Sequence, residues 1–125
     1  MDILPGDMLH RRKGLVTHCG TALGWQSGQF LVAHSLPGRG YHVSSLDDFA
    51  AGHEVYVAHR PQEWERFEVL ARVEEQLGLP YSLLTRNCQH GCSYAATGRA
   101  QSWGVALAAL GVVGALLLVV LVSGR

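Results

Sequence analysis

Between Val105 and Val122 the chain runs for 18 residues without a charged or polar side chain. At about 1.5 Å per residue, a helix of that length measures roughly 27 Å, close to the hydrocarbon thickness of a bilayer. It would be apolar on every side, and a small domain has too little surface to cover it all round. The segment is therefore expected to cross a membrane as one C-terminal helix. What folds in water is confined to the preceding residues, about 100 of them, enough for a single core. Gly104, Gly111 and Gly114 lower helix propensity and would also suit a buried or hairpin helix, which is the competing reading. Gly111 and Gly114 are too close for a Gly-xxx-Gly dimer motif, so the oligomeric state stays open.

The expected organisation is a folded domain over residues 1–99, a linker over 100–104 and an anchor over 105–122. Trp103 stands at the entry to the anchor, Arg86 and Arg99 precede it, and only Arg125 follows. Indole favours the membrane interface and positive charge stays inside, so the domain is expected on the cytoplasmic side. The start, Met1-Asp2-Ile3-Leu4-Pro5-Gly6-Asp7, has neither the basic opening nor the apolar run of a signal peptide. Acidic and basic residues number 10 each, which removes the basic excess that nucleic-acid binding needs. Three cysteines cannot all pair within the chain, and their spacing suggests no disulfide framework, so a reducing compartment is expected.

Alternating runs over Asp7–His10 and Leu15–Leu23 predict two strands joined by the basic turn Arg11-Arg12-Lys13-Gly14. Gln29–His34 and Glu54–Ala58 predict further strands, with a short helical turn over Ser45–Ala51 between them. The sheet thus has about four or five antiparallel strands. Pro61 opens a helix in which Trp64, Phe67, Leu70 or Ala71, Val73 and Leu77 recur at helical spacing, which predicts that these residues face the sheet. Its charged residues Glu68, Arg72, Glu74 and Glu75 are then the solvated face. The fold class is α+β.

The chemistry gathers at Asn87-Cys88-Gln89-His90. Asparagine is a strong N-cap, so a helix is expected from Asn87, with Cys88 in its first turn. Free N–H groups and the positive end of the helix dipole there favour a thiolate, and the Cys88 backbone N–H can hold an oxyanion. His18, in mid-strand, is placed by the pleat as a general base. His34 closes the next strand and is expected to orient His18 through its other ring nitrogen. His10, His42, His53, His59 and His90 are read as non-catalytic. Cys88-x-His90-x-Cys92 spreads its donors over different helix faces with no second cluster, so no metal or other cofactor is expected. Cys92 reads as a core residue, and Cys19 points away from the face of His18.

Gly6-Asp7-Met8-Leu9, His18, Gly24, Leu31-Val32-Ala33-His34 and Tyr81 through His90 resemble, in order, the motifs of the lecithin retinol acyltransferase-like family. That family includes the H-rev-type phospholipase/acyltransferases and belongs to the permuted NlpC-like branch of the papain fold. The resemblance implies Cys88 as nucleophile, His18 as base and His34 as the orienting residue. It also implies an acyl-Cys88 thioester drawn from a membrane glycerophospholipid and passed to water, an amine, an alcohol or a lysolipid. Gln89 stands where the animal enzymes carry glutamate, and Gly91 replaces their next aromatic residue, which is expected to open the acyl site. Residue types alone leave two other functions standing, a cysteine peptidase or amidase with the same relay and an inactive membrane-tethered interaction module.

Overall fold

The computed structural model describes residues 2–13, 16–81 and 88–98, and shows an α+β fold. Its strands are β1 (Met8–Lys13), β2 (Val16–Gln26), β3 (Gln29–Leu36), β4 (Gly40–Ser45) and β5 (Val55–His59). They form one antiparallel sheet in the order β4-β3-β2-β1-β5. The helices are α1 (Leu46–Ala50), α2 (Arg66–Gln76), entered through a 3-10 turn at Glu63–Glu65, and α3 (Cys88–Thr97).

Local chemistry accounts for the joints. Ser27 and Gly28 both take positive φ, 51° and 80°, which is the two-residue turn whose twist suits a tight hairpin between β2 and β3. Ser45 caps α1 by accepting the Asp48 N–H at 3.1 Å. On one sheet face Leu9, Ala22, Phe30, Val32 and Phe49 of α1 make a core. On the other, Ala33 and Tyr41 pack with Val69 and Val73 of α2 and Ala95 of α3.

Three expectations need correction. The stretch Arg11–Lys13 continues β1 rather than turning, because it pairs on both sides, Arg11 with His18 of β2 and with Val55 of β5. A strand the sequence did not announce, β4, follows the Pro37-Gly38-Arg39 turn and adds itself to the edge of β3. Finally, α2 buries Val69, Val73 and Gln76, while Trp64 and Phe67, expected in the core, are 75% and 82% exposed.

The cause of that rotation is Asp7. Its carboxylate is wholly buried, accepts the Leu4 N–H at 2.9 Å, and pairs with Arg60 at 2.8 Å and Arg66 at 3.1 Å. Turning Arg66 inward fixes the phase of α2, so the residues three, seven and ten positions later, Val69, Val73 and Gln76, share its side. Burial would raise the Asp7 carboxyl, but hydrogen bonds from Arg60, the Leu4 N–H and Arg66 outweigh it and hold the group below its ordinary range.

No helix among the described residues is long and apolar enough to cross a membrane. The expected cap Asn87, the linker 100–104 and the expected anchor 105–122 lie outside the described residues.

Removing one partner of a buried ion pair strands the others. Asp7→Ala is expected to destabilise the domain by about 3 kcal/mol, measured by urea unfolding followed by circular dichroism. An unchanged midpoint would show that the two guanidinium groups hold α2 without it.

Candidate active site

His18 and His34 come together from adjacent strands. The register sets Gly20 opposite His34, and His18 lies two residues before Gly20 on the same face. The His18 Nε2 and His34 Nδ1 atoms are 2.9 Å apart. Both rings are buried, at 8% and 2% exposure, and Phe49 packs against each with centroid distances of 5.3 and 5.2 Å. The His34 Nε2 lies 2.7 Å from the Ser44 hydroxyl. The His42 ring lies against His34, tilted by 47°, with ring centroids 4.5 Å apart.

Burial pushes His34 down from its ordinary value to about 3, and the neighbouring His18, His42, Arg11 and Arg39 push the same way when charged. The ring is therefore neutral throughout the physiological range.

Cys88 opens α3 and is partly buried. Among the described residues the pairing of β2 with β3 begins at Gly20, so the β3-side edge of β2 before it is available to another element. The first turn of α3 takes that place. The Cys19 sulfur lies 3.0 Å from the Cys88 carbonyl oxygen, which brings Cys88 against the residue next to His18. Burial pushes the Cys88 thiol up, against the lowering effect of the backbone N–H groups of Cys19, Gln89 and Cys88 and of the Arg11 charge. The expectation of a thiol acidified by the helix end is thus corrected: desolvation of the charged form prevails over the N–H groups.

Cys19 and Cys92 were expected as separate residues, and here they form a disulfide between β2 and α3, 73 positions apart with Cα atoms at 6.4 Å. Their separation in sequence gave no signal of it. Cys19 does lie on the face opposite His18, and that is the face α3 covers.

Sequence reasoning missed Arg11. It sits directly across from His18, is 9% exposed, and donates through Nη1 to the Phe49 carbonyl at 2.8 Å. Its Nε has no partner among the described residues. The available signal was its two-residue spacing from Leu9, which places both on one face of a strand. His10 lies on the other face, with Nδ1 at 3.3 Å from the Tyr56 hydroxyl. A groove of about 750 Å³ lined by Leu4, Trp25, Phe30 and Leu46 includes none of His18, His34 and Cys88.

A cysteine at a helix start, set against a strand that carries one of two bonded histidines, is the spatial form of the motifs read in order along the chain. The family described as lecithin retinol acyltransferase matches residues 2–101. The chain belongs to that family. It is 41% identical over 58 residues to lecithin retinol acyltransferase of Rattus norvegicus and, equally, of Mus musculus. The match covers 42% of this chain and 25% of each relative, so it spans about a quarter of their length.

Within the lecithin retinol acyltransferase family frame, Gly91 is the departure that structure reinterprets. A Cβ built there would lie 2.6 Å from Cε2 of Tyr41. The space expected to open is filled by the Tyr41 ring, and Gly91 allows α3 to approach it.

The His34 shift has a stability consequence. Its folded value of about 3 lies below the ordinary 6.5, so between these values the unfolded chain binds the proton that the folded chain refuses. Stability should fall as pH drops through that window, with a slope of up to about 1.4 kcal/mol per pH unit from this proton. In His34→Gln the slope between neutral pH and pH 4.5 should flatten, as read from Tm at several pH values. Equal slopes in variant and parent would assign the acid sensitivity elsewhere.

Proposed function

We propose that the chain is a membrane-tethered thiol acyl-transfer enzyme, a phospholipase A/acyltransferase that works through an acyl-Cys88 thioester. Family membership supports acyl-transfer chemistry on lipid. The observation that carries the assignment of residues is the contact of Cys88 with Cys19, beside a His18 ring bonded to His34.

In this reading His18 accepts the Cys88 thiol proton as the sulfur attacks an ester carbonyl of a glycerophospholipid. Because burial disfavours a standing thiolate, deprotonation and attack are coupled, and His18 acts within the step rather than before it. The Cys88 backbone N–H faces the developing oxyanion. Collapse breaks the ester bond, leaves the acyl group on sulfur, and sends the His18 proton to the departing lysolipid oxygen. Water, an amine, an alcohol or a lysolipid then attacks the thioester, and Cys88 recovers its proton. His34 holds the imidazole in register.

The order of the motifs, with histidines before cysteine, supports a permuted NlpC-like papain architecture over residues 1–99. Residues 105–122 would carry this domain across a bilayer through the 100–104 linker, with the domain on the cytoplasmic side. Anchoring confines enzyme and lipid to one surface and raises their effective concentration. A domain without net basic charge has no electrostatic means of achieving that.

Incubation with a short-chain phosphatidylcholine should add one acyl mass to the intact protein, labile to hydroxylamine and absent in Cys88→Ala. His18→Ala should slow its formation by about 100-fold to 10,000-fold, the usual cost of losing a general base. An adduct that persists in Cys88→Ala would mean that another residue is the nucleophile. A chain ending at Arg99 should still turn over a water-soluble short-chain ester but lose most activity on bilayer lipid, and a foreign transmembrane helix should restore it. No recovery would make the tail part of the fold or the site.

A further inference from the structure

We propose that the groove beside Trp25 is a docking site for the phosphocholine headgroup of a bilayer lipid, in which Trp25 and Asp47 take the quaternary ammonium and Arg60 takes the phosphate. The site lies apart from Cys88 and goes beyond the acyl-transfer reading. It rests on that reading only in setting the domain at a bilayer.

A slip in the sheet builds the site. Leu31 and Val32 of β3 pair with Gly24 and Ala22 of β2, so Leu23 is an extra residue on β2, and Gly24 takes a φ of 102°. Without that bulge Trp25 would share the face of Leu23, which packs on the core formed with α2 and α3. With it, Trp25 stands opposite Phe30 and is turned to the face of α1. The indole there is 76% exposed, so it adds little to the core. The Trp25 and Phe30 rings meet at 88° with centroids 5.6 Å apart, an aromatic corner in the wall of the groove.

The groove carries both signs of charge. Asp2 and Asp47, both exposed, line it with carboxylates, and Arg60 lines it with a guanidinium. Arg60 uses Nε and Nη2 on the Asp7 carboxylate and the Asp2 carbonyl, and among the described residues Nη1 bonds to none. An aromatic face beside a carboxylate suits a cation that has no hydrogen bond to donate, the quaternary ammonium above all. A guanidinium suits phosphate. A simple cation would leave Arg60 unanswered, and a simple anion would be repelled by the carboxylates. Phosphocholine, with both groups a few bonds apart, answers the whole set.

The lipid source follows from where the chain leaves the domain. The helix α3 runs antiparallel to α2 and ends with Gly98 against Arg72, where a Cβ would lie 3.5 Å from Nε. It therefore heads for the start of α2, the end of the domain at which Arg60 and Arg66 share Asp7. With residues 105–122 as an anchor, the bilayer meets the domain at this end and holds headgroups there at high local concentration.

The test uses the full chain with nitrogen-15 tryptophan, its three indole signals assigned by single Trp→Phe variants. In maltoside micelles, which contain no choline, glycerophosphocholine should shift the Trp25 signal alone, and glycerophosphoethanolamine at the same concentration should leave it in place. Asp47→Asn, a change at an exposed position, should weaken the response by about twofold to fivefold, the scale of one exposed charge pair. In phosphatidylcholine nanodiscs, saturation of the choline methyl protons should attenuate the Trp25 signal. No shift with the soluble ester and no attenuation in nanodiscs would overturn the proposal. An equal response to the ethanolamine ester would overturn the quaternary ammonium as the group recognised, and an unchanged response in Asp47→Asn would overturn its place beside Asp47. A shift without attenuation in nanodiscs would overturn the lipid as occupant in favour of a soluble ester. Failure of the anchor shows separately, as a chain that does not enter nanodiscs, and sinks the bilayer source with it. None of these signals depends on Cys88, so the choice of nucleophile stands or falls apart from them.

Discussion

Phe49 can press onto the sheet because Gly20 has no side chain. A Cβ there would stand 2.7 Å from both the Phe49 ring and the Val32 side chain. Protein interiors tolerate almost no such overlap, so any other residue would lift α1 off the strands. With the ring down, one face of the sheet closes over His18 and His34, and the Phe49 carbonyl accepts Arg11. The dryness that keeps His34 neutral comes from this packing. The core contact therefore bears directly on the charge of His34.

The opposite face is organised by polar tethers between two antiparallel helices. Arg72 of α2 donates to the Ala95 carbonyl at 3.0 Å, and Gln76 donates to the Gly91 carbonyl at 3.2 Å. Both side chains face α3 because Asp7 has drawn Arg66 inward at the start of the same helix. Gly91 lets Tyr41 meet α3 at close range, and the Cys19–Cys92 bond joins that helix to β2. These ties bring the first turn of α3 to the stretch of β2 that β3 leaves unpaired. The Cys88 carbonyl is thereby set against Cys19, the residue next to His18.

Charge at the site is set by competition. Desolvation raises the thiol and depresses the imidazole, while backbone N–H groups and the Arg11 cation favour thiolate. Arg11 is an unusual component, a guanidinium inside a strand with one N–H unpartnered among the described residues. Its charge opposes protonation of His34 and favours negative charge on Cys88 together. The resting site therefore holds a neutral thiol and a neutral His34 imidazole.

The residues proposed to carry chemistry were legible along the chain because their types are rare in combination and their spacing is local. Cys88 before a helix-forming run, and histidines on strands of period two, need no knowledge of what lies across the core. The α+β class and most of the strands followed from alternation in the same way. Other features escaped. Arg11 looked like part of a turn because its partners on β2 and β5 are contributed by other segments. The inward face of α2 was misread because its apolar residues fit two stripes, and only the Arg66–Asp7 pair, 59 positions apart, chooses between them. The pairing of Cys19 with Cys92 and the filling of the space at Gly91 by Tyr41 depend on which faces meet after folding. The chain alone determined its local periodicities, its candidate reactive side chains and its family. Tertiary structure decided burial, phase and the charge of buried groups, because each depends on groups far apart in sequence that act on one another only once water has been excluded between them.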